Sequence, residues 1–350
     1  MLAASFFLAL AGVAHAALQY KGVDWSSVPV EEAAGRRYST SSGTVQPFEK
    51  ILAANGVNTV RQRLWVNPSD GNYNLDYNIK LAKRARAAGL SVYLDMHFSD
   101  TWADPGHQAT PAAWAHLGID DLAWQVYNYT KLVHDTFQQN NIPLAITSIG
   151  NEITSGLLFP LGSRSSSANN VARLLHSAAA GIKDSTLASK PQIMIHLDNG
   201  WNAATQTSWY SQILGQGPLR SSDFDIMGVS YYPFYSSSAT LSALKRSLST
   251  LASSYGKPIV VAETDWPKSC PNPAYAFPSD TKSIPISAAG QTTWIQKVAA
   301  VVAGTKNGVG LFYWEPAWID NASLGSSCAD NLLVDYNGKA LSGLAVFGSI

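Results

Sequence analysis

From Leu18 to Glu315, short apolar runs alternate with longer stretches whose apolar positions recur at helical spacing. The runs 18–24, 58–66, 90–97, 144–152, 192–198, 224–232, 259–263 and 309–315 are rich in β-branched and aromatic residues and read as strands. Their apolar character is continuous rather than alternating, as expected of parallel strands covered on both faces. The intervening stretches 46–55, 75–88, 121–140, 167–184, 205–214, 240–255 and 288–304 read as helices. In 75–88, Ile79, Leu81, Ala82, Ala85 and Ala88 fall near helical spacing; in 167–184, Val171, Leu174, Leu175 and Ile182 share a side. Gly56, Gly89 and Gly256 stand where helices are expected to stop.

Strand and helix units in this order, with no break in composition, predict an α/β fold: a single (β/α)8 TIM barrel. An open doubly wound sheet would place a glycine-rich turn after the first strand. Asp24-Trp25-Ser26-Ser27 stands there instead, and it is no phosphate-binding fingerprint.

Composition narrows the partner. Of 350 residues, 14% are charged and 11% aromatic, with 11 Trp and 15 Tyr; about 25% charged is usual for a globular chain. The formal net charge is +0. With no basic run, nothing favours nucleic acid or an anionic membrane. A polar, uncharged, aromatic-rich surface suits a neutral partner.

The first residues form a short apolar run, Met1–Val13, followed by Ala14-His15-Ala16. This pattern predicts a secretory signal over 1–16 and a catalytic domain over 17–350. The run is too short to span a bilayer, which takes about 20 residues. The expected location is extracellular. There, the two cysteines, Cys270 and Cys328, are expected to pair. Asn128-Tyr-Thr130 and Asn321-Ala-Ser323 are candidate glycosylation sites.

In a barrel the reactive groups gather at the C-terminal ends of the strands. Those ends here offer Arg61 and Arg63, Asp95 and His97, Asn151 and Glu152, His196 and Asp198, Tyr231 and Tyr232, Glu263, and Trp314 and Glu315. Two strands that each end in a Glu suggest a paired-carboxylate site. Glycoside hydrolysis requires an acid for the leaving oxygen and a second carboxylate, roughly 5–5.5 Å away in the retaining geometry. Strands four and seven face each other across the mouth, so Glu152 and Glu263 are placed to flank a sugar. Arg61 is expected to keep Glu263 ionised, Tyr231 to orient it, and Asn151 to bond a substrate hydroxyl. His97 is a candidate site contact, and Trp314 a candidate stacking surface. His97, Asp100, Asp104 and His107 match no standard metal spacing, so no metal or cofactor is expected. No Gly-x-Ser-x-Gly elbow and no phosphate loop is present.

These residues, taken with longer strings, resemble glycoside hydrolase family 53 of clan A. The strings include Gly22-Val-Asp-Trp-Ser-Ser27, Asp95-Met-His-Phe-Ser-Asp-Thr-Trp-Ala-Asp-Pro-Gly106, Gly228-Val-Ser-Tyr-Tyr-Pro-Phe-Tyr235 and Ala262-Glu-Thr-Asp-Trp-Pro267. Asn-Glu at a strand end alone fits many barrel families; the strand-three string is far more specific. The resemblance implies an endo-β-1,4-galactanase acting with retention on the galactan side chains of pectin. Glu152 would be acid and base, Glu263 the nucleophile, and Arg61, Asn151, Tyr231 and Trp314 supporting residues. The chain is similar to the fungal branch. That likeness implies a Cys270–Cys328 disulfide between the loops after strands seven and eight, where bacterial relatives carry calcium. The expected partner is a neutral polysaccharide, β-1,4-galactan or arabinogalactan, met by a monomer. A clan A enzyme for mannan, cellulose or β-1,3-glucan is one alternative. A barrel that binds carbohydrate without cleaving it is another, and it would be expected to lack one Glu.

Overall fold

The apolar runs become strands buried on both faces. β1 (Tyr20–Asp24), β2 (Thr59–Leu64), β3 (Ser91–Met96), β4 (Ile146–Ile149), β5 (Gln192–Leu197), β6 (Ile226–Ser230), β7 (Ile259–Glu263) and β8 (Gly308–Tyr313) are all parallel. Each pairs with its neighbour in sequence, and β8 closes on β1. The fold is therefore the expected (β/α)8 barrel. The computed structural model describes residues 17–350, so the expected leader at 1–16 lies outside the described residues.

The surrounding helices are α1 (Val28–Ala33), α2 (Phe48–Ala54), α3 (Leu75–Ala87), α4 (Ile119–Gln139), α5 (Ala168–Lys183), α6 (Ala203–Leu214), α7 (Leu241–Tyr255), α8 (Ala288–Ala303) and α9 (Ser342–Ala345). Several start on a side-chain cap. Asn74, Ser167, Asn202, Thr240 and Ser287 each accept the backbone N–H three residues on, each worth about 1 kcal/mol. The hydrophobic pattern does not predict α1 or α9, which have 6 and 4 residues. That is too short for a helical period to register.

Apolar packing falls into two layers. Between strands and helices lies the larger core. Inside the barrel, Tyr20, Tyr93, Ile146, Met194, Val260 and Phe312 form a separate plug. Gly22 makes room for it, because a Cβ there would stand 2.2 Å from the Phe312 ring. With the barrel floor filled by apolar side chains, the polar residues of β1 to β8 collect above it, at the mouth.

Strand four ends earlier than its apolar run suggests. β4 stops at Ile149, since Gly150 turns the chain at φ 113°, a conformation closed to residues with a Cβ. Glu152 follows in the left-handed region at φ 50°, ψ 47°. For a non-glycine residue this costs roughly 1–2 kcal/mol, and it presents the Glu152 side chain to the mouth.

Cys270 and Cys328 are joined by a disulfide across a sequence separation of 58. It ties the segment after β7 to the segment after β8. Beside it Lys268 Nζ lies 3.0 Å from Asp330 Oδ2, and the backbone of Lys268 donates to the Asp330 carbonyl. Closing a loop of that length is expected to stabilise the fold by about 4 kcal/mol through the unfolded chain. The double variant Cys270→Ser, Cys328→Ser should therefore unfold at markedly lower guanidinium concentration. A midpoint equal to that of the parent would show that the polar contacts alone hold these loops.

Candidate active site

Arg61 is the centre of the mouth. It stands on β2, points into the barrel and is 1% exposed. Its Nη1 donates to Asp24 Oδ2 on β1 at 2.8 Å. Its Nη2 donates to Asp95 Oδ2 on β3 and to Asn151 Oδ1, both at 2.8 Å. The same nitrogen is 2.7 Å from Glu263 Oε1. A buried guanidinium thus joins groups from four parts of the barrel rim.

Glu263 owes its inward aim to a slip in strand pairing. On β7, Val260 and Ala262 belong to the barrel interior, so strict alternation would turn residue 263 toward the helices. The register shifts after Val229, and Ser230 of β6 pairs with Glu263 instead of Ala262. Such irregularities re-aim side chains beside active sites. Glu263 Oε2 then accepts from the Tyr232 hydroxyl at 2.7 Å.

That tyrosine differs from the one expected. Gly228, Ser230 and Tyr232 share one face, and Tyr231 lies on the other. Tyr231 is fully buried, stacks on Trp294 of α8 with ring centroids 5.3 Å apart, and donates to the Ala239 carbonyl at 2.8 Å. It is a packing residue behind the barrel wall, and Tyr232 takes the place beside Glu263. Counting parity from Gly228 was the sequence signal that separates them.

Burial raises the pKa of both glutamates, but unequally. For Glu263 the Arg61 charge and the Tyr232 hydroxyl counter that effect. For Glu152 no cation does. Burial pushes it well above the usual carboxylate range, the Glu263 and Asp198 charges add to this, and only the Ser230 hydroxyl opposes. Of the two, Glu152 is therefore the one that holds a proton more readily, and Glu263 the one whose charged form is supported.

The remaining expected residues sit around this pair. Asn151 is 2% exposed. Its amide nitrogen donates to the Ala103 carbonyl at 2.8 Å while its oxygen is held by Arg61. His97 lies beneath the site. Its Nδ1 accepts from the Ala103 N–H and the Trp65 indole, both at 3.1 Å. The proton is therefore on Nε2 and faces Asp95 Oδ2 at 2.9 Å. Burial lowers the His97 pKa, so the ring is neutral. Asp95 would be raised by burial, yet the Arg61 charge and His97 hold it well below the usual range. Asp100 instead caps the Asn67 and Ala112 backbones, and Asp104 pairs with His107. Of the four residues weighed as a metal set, Asp104 and His107 thus bond each other, while His97 and Asp100 are taken up elsewhere.

A cavity of about 350 Å³ opens above Glu152 and Glu263. Trp102, Trp201, Tyr232, Phe234, Tyr235 and Trp314 supply its aromatic walls. Trp314 meets Trp102 edge to face at 5.3 Å. Behind them Arg63 pairs with Glu315, and its guanidinium lies 4.2 Å from the Tyr73 ring centre and 5.0 Å from that of Trp318. Burial raises the Glu315 pKa to about 7, with Arg63 opposing. Asp265 also lines the cavity and accepts the Trp314 N–H at 3.2 Å. Burial, then the Glu263 charge, push Asp265 well above the usual range. Cavities walled by indole rings and edged by carboxyl groups bind sugars through their apolar faces and hydroxyls together.

The profile of glycosyl hydrolase family 53 matches residues 20–347. The chain belongs to glycosyl hydrolase family 53. An arabinogalactan endo-β-1,4-galactanase of Thermothelomyces thermophilus is 64% identical over 334 residues, covering 95% of this chain and 100% of that one. A probable arabinogalactan endo-β-1,4-galactanase A of Neosartorya fischeri is 62% identical over 347 residues, covering 99% and 97%. Among solved structures, a fungal β-1,4-galactanase superposes with a TM-score of 0.94 at 63% identity, covering 95% of this chain and 100% of that one. The family 53 catalytic domain of Ignisphaera aggregans gives 0.83 at 31%, covering 94% and 95%.

The family 53 chain is thus a glycoside hydrolase, and its mouth holds residues that strand patterning alone did not single out. Asp265 sits two residues past Glu263, outside the strand. Trp201 and Tyr235 lie on loops, where no periodicity points to a site. The two neighbouring tyrosines of this family 53 chain, Tyr232 at the mouth and Tyr231 behind the wall, are expected to behave differently. Tyr232→Phe removes a hydrogen bond to ionised Glu263, so the Glu263 pKa rises and the acidic limb of the activity profile moves to higher pH. A charge-assisted bond of this kind implies a loss on the order of 10-fold or more in kcat/KM. Tyr231→Phe should lower thermal stability and leave the limb in place. Equal shifts in the two profiles would contradict the assignment.

Proposed function

We propose that the chain is a secreted endo-β-1,4-galactanase that cleaves internal bonds of pectic galactan side chains with retention at the anomeric carbon. One contrast carries the chemistry: Glu263 is ion-paired with Arg61 and bonded by Tyr232, while Glu152, in the same cavity, has no cation and a raised pKa. The substrate assignment is supported by 62–64% identity, over nearly full length, to arabinogalactan endo-β-1,4-galactanases.

In the first step the Glu263 carboxylate attacks the anomeric carbon. Glu152 gives its proton to the glycosidic oxygen as the C–O bond breaks. Forming the ester removes the negative charge of Glu263, so the Glu152 pKa falls and it becomes a base. It then takes a proton from water, whose oxygen attacks the same carbon and releases Glu263. Arg61 steadies the Glu263 carboxylate before attack and as it is released, and Asn151 retains one amide N–H for a sugar hydroxyl. Trp314 and Trp102 offer faces for galactose rings. One barrel holds both glutamates, so the reading calls for a single chain.

Secretion rests on the leader at 1–16 and agrees with the disulfide. Asn128 is exposed and Asn321 half-buried, and both are proposed to carry glycans.

Reducing ends should appear from linear β-1,4-galactan and not from β-mannan, carboxymethylcellulose or β-1,3-glucan. Proton NMR should show the β-anomer first. Release from another polymer alone would discard the galactan reading and keep the carboxylate pair. The two acids separate by substitution. Given a substrate with a good leaving group, Glu152→Gln should still form the glycosyl-enzyme, detected as an intact-mass increase. Glu263→Gln should not, and similar adduct formation in both variants would sink these roles.

A further inference from the structure

A second cleft lies outside the barrel, where α4 packs on α5, and the catalytic reading does not use it. It encloses about 680 Å³, with Ala123 and Ala180 among its lining. Small residues let the helices approach closely; a Cβ on Gly181 would stand 2.6 Å from the Tyr127 carbonyl. On one bank stands Trp124, 64% exposed. A single exposed apolar residue needs no explanation, but this one is braced. Tyr127 meets its ring at 86° with centroids 5.6 Å apart, and the Tyr127 hydroxyl donates to Asp184 Oδ2 at 3.0 Å. On the other bank Arg173 pairs with Asp120, and His176 Nδ1 lies 2.9 Å from Asp223 Oδ2.

We propose that this cleft is a second binding site for β-1,4-galactan, which holds the polymer on the flank of the barrel while the mouth cleaves it. The inference rests on the galactanase reading above. Three features favour a neutral sugar chain. The charges on the banks are matched within the protein with one exception: Asp120 is paired with Arg173, and Asp223 with Lys183 and His176. Asp184 has no cationic partner among the described residues; its Oδ2 accepts from the Tyr127 hydroxyl, and it and the paired groups keep lone pairs and N–H bonds for sugar hydroxyls. The indole is wide, exposed and already fixed, so a sugar face can stack on it with little further ordering. An axial O4 leaves the opposite face of a galactose ring as a patch of C–H groups, which suits that surface.

The position also fits. Helices of a barrel run antiparallel to its strands, so Asp120 and Trp124, in the first turns of α4, lie toward the end where the catalytic mouth opens, while Asp184 and Pro218, past the ends of α5 and α6, carry the cleft down the flank toward the base. A chain leaving the mouth reaches this flank without crossing the barrel base. One competitor is built in: Asn128, exposed and one turn beyond Trp124, heads a sequon. A glycan there is positioned to cover the same face.

The test is electrophoresis of the native, glycosylated protein through gels with and without soluble β-1,4-galactan. The Glu263→Gln background keeps the polymer intact. Adding Trp124→Ala should cut the galactan-dependent retardation several-fold and leave mobility in plain gels unchanged. With Glu263 restored, Trp124→Ala should raise KM on polymeric galactan several-fold, with kcat/KM on a short galacto-oligosaccharide within about twofold of the parent. Tyr127→Phe, which releases Asp184 and keeps the ring, should give a smaller loss of retardation. Unchanged retardation in Trp124→Ala, beside normal galactan hydrolysis, overturns the second site and spares the galactanase reading. Failure to hydrolyse galactan at all overturns that reading first. A Trp124-dependent retardation seen only with Asn128→Gln would assign the cleft to the chain's own glycan and overturn the proposal for the native protein.

Discussion

The guanidinium of Arg61 is almost wholly removed from water and bonded to Asp24, Asp95, Asn151 and Glu263. These groups come from β1, β3, the turn after β4 and the end of β7. Burying such a charge is unfavourable unless it is paired and hydrogen-bonded. Both terminal nitrogens of Arg61 are answered, with Nε alone left without a partner, and the groups that answer them are thereby held in fixed relative positions. Removing Arg61 would leave three carboxylates facing one another in a dry site. The same ion pairs that set the geometry of the mouth also set which of its acids are ionised.

The charge balance follows. Asp24, Asp95 and Glu263 share one guanidinium, and Arg63 is committed to Glu315. No cation remains near Glu152 or Asp265. Asp265 is buried and Glu152 half-buried, each beside negative neighbours, and both are driven toward the neutral form. A neutral Glu152 is what proton donation requires, and burial and the negative neighbours favour it against the Ser230 hydroxyl. Asp265 has a structural task as well, since it holds the backbone of Trp314. The charge state of the site and the placement of Trp314 are therefore linked through one loop.

The sequence made the barrel legible because parallel strands carry a strong signal: continuous apolar runs with a helix after each. It also drew attention to Glu152, Glu263 and Arg61 as polar residues that interrupt or close those runs: Glu263 ends β7, Arg61 stands inside β2, and Glu152 follows β4. The choice between Tyr231 and Tyr232 was not legible from adjacency. It depends on which face of β6 turns inward, and only the alternation from Gly228 through Ser230 carries that information. Glu263 shows the opposite difficulty. Its inward aim depends on a register slip between β6 and β7, which pairing creates and no local pattern encodes. His97 was expected as a site contact, and its ring is spent on Asp95, Trp65 and Ala103. A strand-end residue is brought to the mouth by topology, but whether it meets substrate depends on what else claims its polar atoms.

Scarcity of charge gives the molecule its division of labour. Only 14% of residues are charged, and the two interior arginines of β2 are both held in buried pairs. Arg63 illustrates the second use of such a pair. Its flat, weakly hydrated head lies among Tyr73, Trp102 and Trp318, where a cation draws on the electron-rich ring faces. Glu315, at φ 42°, accepts a sparsely populated backbone conformation to reach it. Trp314 precedes Glu315 in the chain, and Trp102 touches both Trp314 and the Arg63 cation. The indole walls are thus positioned by an ion pair beneath them instead of by apolar packing alone. Trp314 is itself largely buried, packed edge to face against Trp102 and Trp318. The buried charge pair adds rigidity behind the part of the indole wall that the cavity reaches.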